Sequence, residues 1–154
     1  MAIRNVIQIG NELLKKKSKP VKEFDPKLWE LLDDMRETMV KNEGCGLAAV
    51  QVGILRQVVV LDVNNMKLEL INPEIIDSFG EVVEKEGCLS VKGQQGYVKR
   101  PEEVTVKALD RYGNEFIITG VGLLARALCH EIDHLDGILY TDKVIKDYKS
   151  KRDK

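Results

Sequence analysis

A chain of 154 residues with 44% hydrophobic and 32% charged residues has the size and composition of one globular domain with a core of its own. Its net charge of −1 leaves no basic stripe for nucleic acid, and no apolar stretch approaches the ~20 residues of a membrane-spanning helix. The opening MAIRNVIQIGNELL lacks the uninterrupted apolar run of a secretory leader, and three cysteines cannot all pair, so free thiols in a reducing cytoplasm are expected.

In chain order, Asp25-Pro26 reads as the N-cap and first position of a helix. Leu28, Leu31, Leu32, Met35 and Met39 recur at helical spacing, and Gly44 is the expected stop. The pattern then changes to β-rich runs at 57–63, 68–72, 75–84, 104–110 and 115–119. Turn signals separate them at Asn64-Asn65, Asn72-Pro73 and Tyr112-Gly113-Asn114. Residues 121–135, VGLLARALCHEIDHL, are apolar round most of a helical circumference and read as a buried helix closed by Gly137. Thr141-Asp142 is expected to open a short C-terminal helix that frays into a basic tail; residues 146–154 hold five basic and two acidic groups. The class is α+β, one domain over residues 1–154. Mixed, mainly antiparallel sheets surround a central helix, with one helix before them and a short one after.

The chain's only two histidines stand four apart on that buried helix, in His130-Glu131-Ile132-Asp133-His134. Residues i and i+4 share a helix face and can close on one metal ion. Unpartnered imidazoles and a carboxylate would be costly to bury, and a bound cation satisfies them together. Glu131 then lies beside the ion. From there it can take a proton from an activated water and hand it to a leaving nitrogen. A catalytic centre of this kind needs a third protein ligand, and no His follows His134 to supply it. Two thiols compete for the place. Cys88, in Glu86-Gly87-Cys88-Leu89-Ser90, ends a strand-like run; Cys45 lies between Gly44 and Gly46. Cys129 points about 100° away from His130 round the helix and reads as a core thiol. The glycine-flanked segment 44–51 leads to Gln51, whose amide and a backbone N–H can supply two donors to a developing oxyanion. Asp133 is a candidate partner for Arg100 in orienting a histidine.

Gly44-Cys45-Gly46-Leu47-Ala48-Ala49-Val50-Gln51, Glu86-Gly87-Cys88-Leu89-Ser90 and His130-Glu131-Ile132-Asp133-His134 together resemble the peptide deformylase family in order and separation, and the resemblance covers essentially the whole chain. It implies metal ligation by Cys88, His130 and His134, with Glu131 as general acid and base. Gln51, through its side-chain amide, and Leu89, through its backbone N–H, become the oxyanion donors. The implied reaction removes the formyl group from the N-terminal formyl-methionine of nascent polypeptides and releases formate. The extended substrate would pair with backbone at Cys45-Gly46 and Glu86-Gly87, its methionine side chain lying against Leu123 and Ala127. The family favours Fe2+ as the native ion, while Zn2+, Ni2+ and Co2+ accept the same donors. A weak ribosome contact through the basic tail would suit work on nascent chains. Cys45, Glu84, Lys92 and Arg126 depart from commoner family residues, and Glu84 and Arg126 bear on the shape and polarity of the pocket. Two other readings fit the helix motif alone: a general metallopeptidase, and a non-catalytic structural module in which Cys45 adds a fourth ligand.

Overall fold

The computed structural model describes residues 2–148. Helix α1 (Pro26–Lys41) starts where the sequence places it, because Asp25 accepts the Leu28 N–H at 3.0 Å and Pro26 needs no partner for a hydrogen it lacks. Leu28, Leu32, Met35 and Met39 are fully buried along one stripe of it. A five-stranded antiparallel sheet follows in the spatial order β1-β2-β3-β6-β7, from β1 (Gly46–Ala48), β2 (Val58–Val63), β3 (Met66–Phe79), β6 (Glu103–Leu109) and β7 (Glu115–Val121). Helix α2 (Leu123–Leu135) follows β7.

The sheet is packed on both faces. Val58 and Val60 join the α1 side chains in one apolar cluster, while Val59, Leu61 and Val63 join Leu124, Ala125 and Leu128 of α2 in another. This explains why β2 reads as a continuous apolar run rather than an alternating one. Strands β4 (Val82–Cys88) and β5 (Val91–Arg100) form a separate antiparallel hairpin. A smaller cluster of Val91, Val98 and Tyr140 lies beneath it.

Several expectations change. Among the described residues every strand ladder is antiparallel and the one parallel pairing is an isolated bridge between Lys19 and Arg56, so the sheets are less mixed than expected. Asn72-Pro73 does not separate two strands. β3 runs through it with register shifts between Ile71 and Asp77, a bulge that accommodates the missing proline donor. Asn72 there has φ of 51°, and its side chain pairs with the Val21 backbone N–H (2.8 Å) and carbonyl (2.9 Å), standing in for a strand neighbour. The expected strand 75–84 divides at Gly80, where the chain turns from β3 into β4. The C-terminal helix is only a 3-10 turn over Tyr140–Asp142, and the fraying tail at 149–154 lies outside the described residues.

Candidate metal centre

His130 and His134 project from the same side of α2, their ring centroids 4.9 Å apart. Cys88 comes from the last residue of β4, with its Sγ 3.4 Å from His134 Nε2. Among the described residues these three form the group suited to a metal: one sulfur and two ring nitrogens within 4.8 Å of one another. A thiolate with two neutral imidazoles is a donor set that first-row divalent ions accept. Burial, reinforced by the neighbouring His130, drives His134 well below the ordinary imidazole range, so it stands neutral with a lone pair for coordination. Cys45 is exposed and outside this group, while Cys129 is buried, as a core thiol should be.

A charge network fixes the histidine face. Glu86 is 6% exposed, and its Oε1 accepts the His130 Nδ1 hydrogen at 2.9 Å, leaving Nε2 of that ring free to coordinate. Arg100 grips the same carboxylate through Nε (2.8 Å) and Nη2 (3.0 Å), and reaches Asp133 Oδ2 through Nη1 at 2.6 Å. Arg126 is the third residue on this carboxylate, with Nη1 to Glu86 Oε2 at 2.6 Å. Burial would raise the Glu86 carboxyl, but His130 and Arg100 outweigh it and hold the group down to about 2. Through Arg100 of β5 the network joins β4 and α2, the two elements that carry the three candidate donors. Glu86→Gln keeps the size and removes the charge. Metal affinity should fall about 10- to 100-fold, measured by competition with a chromophoric chelator, and an unchanged affinity would contradict this role.

Glu131 points into a cavity of about 440 Å³ lined also by Gln51, Cys88, Leu89, Leu123 and Ala127. Its Oε1 is buried without a protein partner. Burial pushes its carboxyl up to about 7. The glycines of the first motif have a packing reason that the sequence did not disclose. A Cβ at Gly46 would lie 2.6 Å from Glu131 Oε2, and one at Gly44 would lie 2.6 Å from Leu89 Cδ1. Side chains at either position would displace Glu131 or Leu89.

Gln51 lies in a 3-10 turn (Ala49–Val52) after β1. Its Oε1 accepts the Ala48 N–H at 2.9 Å, which fixes the amide's orientation. Its Nε2 then donates to Ser90 Oγ at 3.1 Å and approaches Cys88 Sγ at 3.5 Å. Leu89 and Ser90 form the turn of the β4–β5 hairpin, since Cys88 pairs with Val91. Cys45 and Gly46 lie at the β1 edge and Glu86 and Gly87 on β4, all four bordering the cavity. Leu123 stands at its rim and Ala127 deeper, at 54% and 6% exposure. Arg126 also lines the cavity, whereas Glu84 is not among its lining residues. In the sequence Glu86 counts only for its backbone and Arg126 only as a perturbation of the pocket. Only a three-dimensional pairing reveals them as partners. Ser90 was missed as well, since a hydroxyl in a tight turn carries no periodic signal.

Residues 3–150 match the sequence profile of the polypeptide deformylase family. A peptide deformylase of Caldicellulosiruptor bescii is 56% identical over 146 residues, covering 95% of this chain and 88% of its own. Among solved structures, a peptide deformylase from Legionella pneumophila superposes with a TM-score of 0.91 at 47% identity, covering 94% of this chain and 88% of its own. One from Thermotoga maritima gives 0.92 at 36% identity, with 94% and 99% covered.

Proposed function

The chain belongs to the peptide deformylase family, a family of metal-dependent hydrolases acting on nascent polypeptides, and from that premise we propose how its residues divide the reaction. Residues 1–154 form one catalytic domain, with the helix bearing His130, Glu131 and His134 at its centre. Cys88, His130 and His134 hold a single divalent ion. The observation that carries this reading is the convergence of those three donors within 4.8 Å of one another, beside a cavity lined by Cys88, His130 and Glu131, whose Oε1 is buried without a protein partner. An ion held by these residues would supply an activated water and a Lewis acid for the formyl oxygen.

Glu131 receives the proton of the attacking water and returns it to the departing amine nitrogen, a cycle suited to a carboxyl pushed up to about 7. Gln51 Nε2 carries two hydrogens; Ser90 Oγ engages one at 3.1 Å, and the other, which faces Cys88 Sγ at 3.5 Å, is assigned to the developing oxyanion together with the Leu89 N–H. The substrate backbone adds along β1 and β4, at Cys45-Gly46 and Glu86-Gly87. Strand β1 ends one sheet and β4 is half of a two-stranded one, so each has a side outside its ladder. The methionine side chain lies against Leu123 and Ala127. Arg126 suits this pocket because Glu86, Val98 O and Val82 O take its guanidinium, which leaves its aliphatic stem to the cavity.

Iron(II) is the native ion in this reading, with zinc, nickel or cobalt accepted by the same donors. A zinc enzyme of full occupancy and full activity, isolated without oxygen, would overturn that assignment. Work on nascent polypeptides places the enzyme in the cytoplasm in this reading. The basic tail makes a weak ribosome contact, which co-sedimentation with and without residues 146–154 tests. Chain isolated anaerobically with iron should release formate from a formyl-methionyl peptide and leave internal peptide bonds intact. Internal cleavage without formate would favour a general metallopeptidase instead.

A further inference from the structure

We infer that Gln8 is a positioning residue for this site, fixing the hairpin turn that carries both the Leu89 N–H and a hydrogen bond to the ligand sulfur. The inference rests on the proposed roles of Cys88, Gln51 and Leu89. The residues that would stabilise the oxyanion come from two bodies without a common ladder: Gln51 follows β1 of the large sheet, and Leu89 caps the β4–β5 hairpin. Their separation sets whether both donors meet one oxygen, and misplacement by about 1 Å can cost about 100-fold.

The N-terminal segment spans the two bodies. Ile7 N–H donates to Gln51 O at 2.8 Å, and Ile9 N–H donates to Ser90 O at 2.8 Å. Between them Gln8 Nε2 donates to Leu89 O at 2.9 Å and to Val6 O at 3.2 Å, so its side chain is itself held by the strap. Upstream, the strap is tied to α1 through Arg4 and Asp34, with Nε to Oδ2 at 2.9 Å and Nη2 to Oδ2 at 2.8 Å.

The contact on Leu89 O has a directional consequence. Leu89 O and Ser90 N belong to one rigid peptide plane. With the oxygen end held by Gln8, the opposite N–H end points at Cys88 Sγ, 3.4 Å away. Rotation of this plane would remove the N–H···S contact and turn the Leu89 backbone about its neighbouring bonds. The two-residue turn has no Gly or Pro of its own to define its conformation. Gln8 supplies that definition from outside.

The test uses full-length protein loaded with cobalt or zinc, comparing wild type with Gln8→Ala and Gln8→Glu at pH 7.5. The glutamate variant is nearly isosteric but presents acceptors where a donor is required. Both variants should keep one metal per chain and bind substrate with KM within about two-fold, while kcat falls about 3- to 10-fold, the loss of one neutral hydrogen bond acting in the transition state. Amide exchange at Ser90 should accelerate in both, and the thiolate-to-cobalt absorption band should shift, readouts that a general loss of stability would not confine to this turn. Unchanged kcat, exchange and absorption in Gln8→Glu would overturn the inference, as would a rise in KM alone or a loss of activity that tracks lost metal. A wild-type protein that releases no formate would instead refute the underlying assignment, and the exchange comparison at Ser90 would still test the strap.

Discussion

Replacing Glu131 by Gln should leave the metal bound and reduce turnover on a formyl-methionyl peptide about 10²- to 10⁴-fold. The amide keeps the shape of the carboxylate beside Gly46, and the three ligand atoms belong to other residues. What disappears is the proton acceptor at a buried oxygen that the protein leaves unpaired. Metal analysis and formate release on the same preparation measure the two halves of the expectation. A structural metal site has no use for Glu131, so near-normal turnover in Glu131→Gln would remove the residue from the mechanism. Metal loss in this variant would mean that the carboxylate is itself a ligand.

Cys88→Ala has the second large effect. It deletes the one proposed ligand from outside α2, and two imidazoles alone would not complete the three-donor set of a catalytic site. Metal affinity should fall by more than the about 10- to 100-fold typical of losing an outer partner such as Glu86, and activity should fall to background at ordinary metal concentrations. The buried Cys129 provides the comparison: Cys129→Ala should retain wild-type metal content, since that thiol packs among apolar residues of α2 and the sheet. Retention of one metal per chain in Cys88→Ala would show that the sulfur is not a ligand.

Helical periodicity made α1 legible, because it buries one apolar stripe against the sheet and a 3.6-residue repeat records it, whereas α2 was legible as a run apolar round most of its circumference, and residues 124–131 are all buried. The three motifs named the residues that converge on the cavity. The pairing of Asp133 with Arg100 was also within reach, as a charged residue inside a buried motif needs a partner. Strand β5 was not legible: VKGQQGYVKR carries glycines, glutamines and lysines, and alternation is weak where only Val91, Val98 and Arg100 are buried. The three-residue β1 was too short to show any period. The break at Asn72-Pro73 misled because a bulge and a turn use the same residues.

The site's supporting residues were hidden for a different reason. Glu86 serves a histidine 44 positions away, and Gln8 a turn 81 positions away. No local pattern encodes such contacts. Gly44 and Gly46 were noticed as a motif, but their cause is the bulk of Leu89 and Glu131 arriving from distant segments.

X-ray absorption on the metal-loaded chain tests the central assignment most directly. One sulfur and two imidazole nitrogens around each ion, with the remaining coordination from oxygen, is the predicted result. Two sulfurs would place Cys45 in a closed structural site, and a sphere without sulfur would remove Cys88; either contradicts the account.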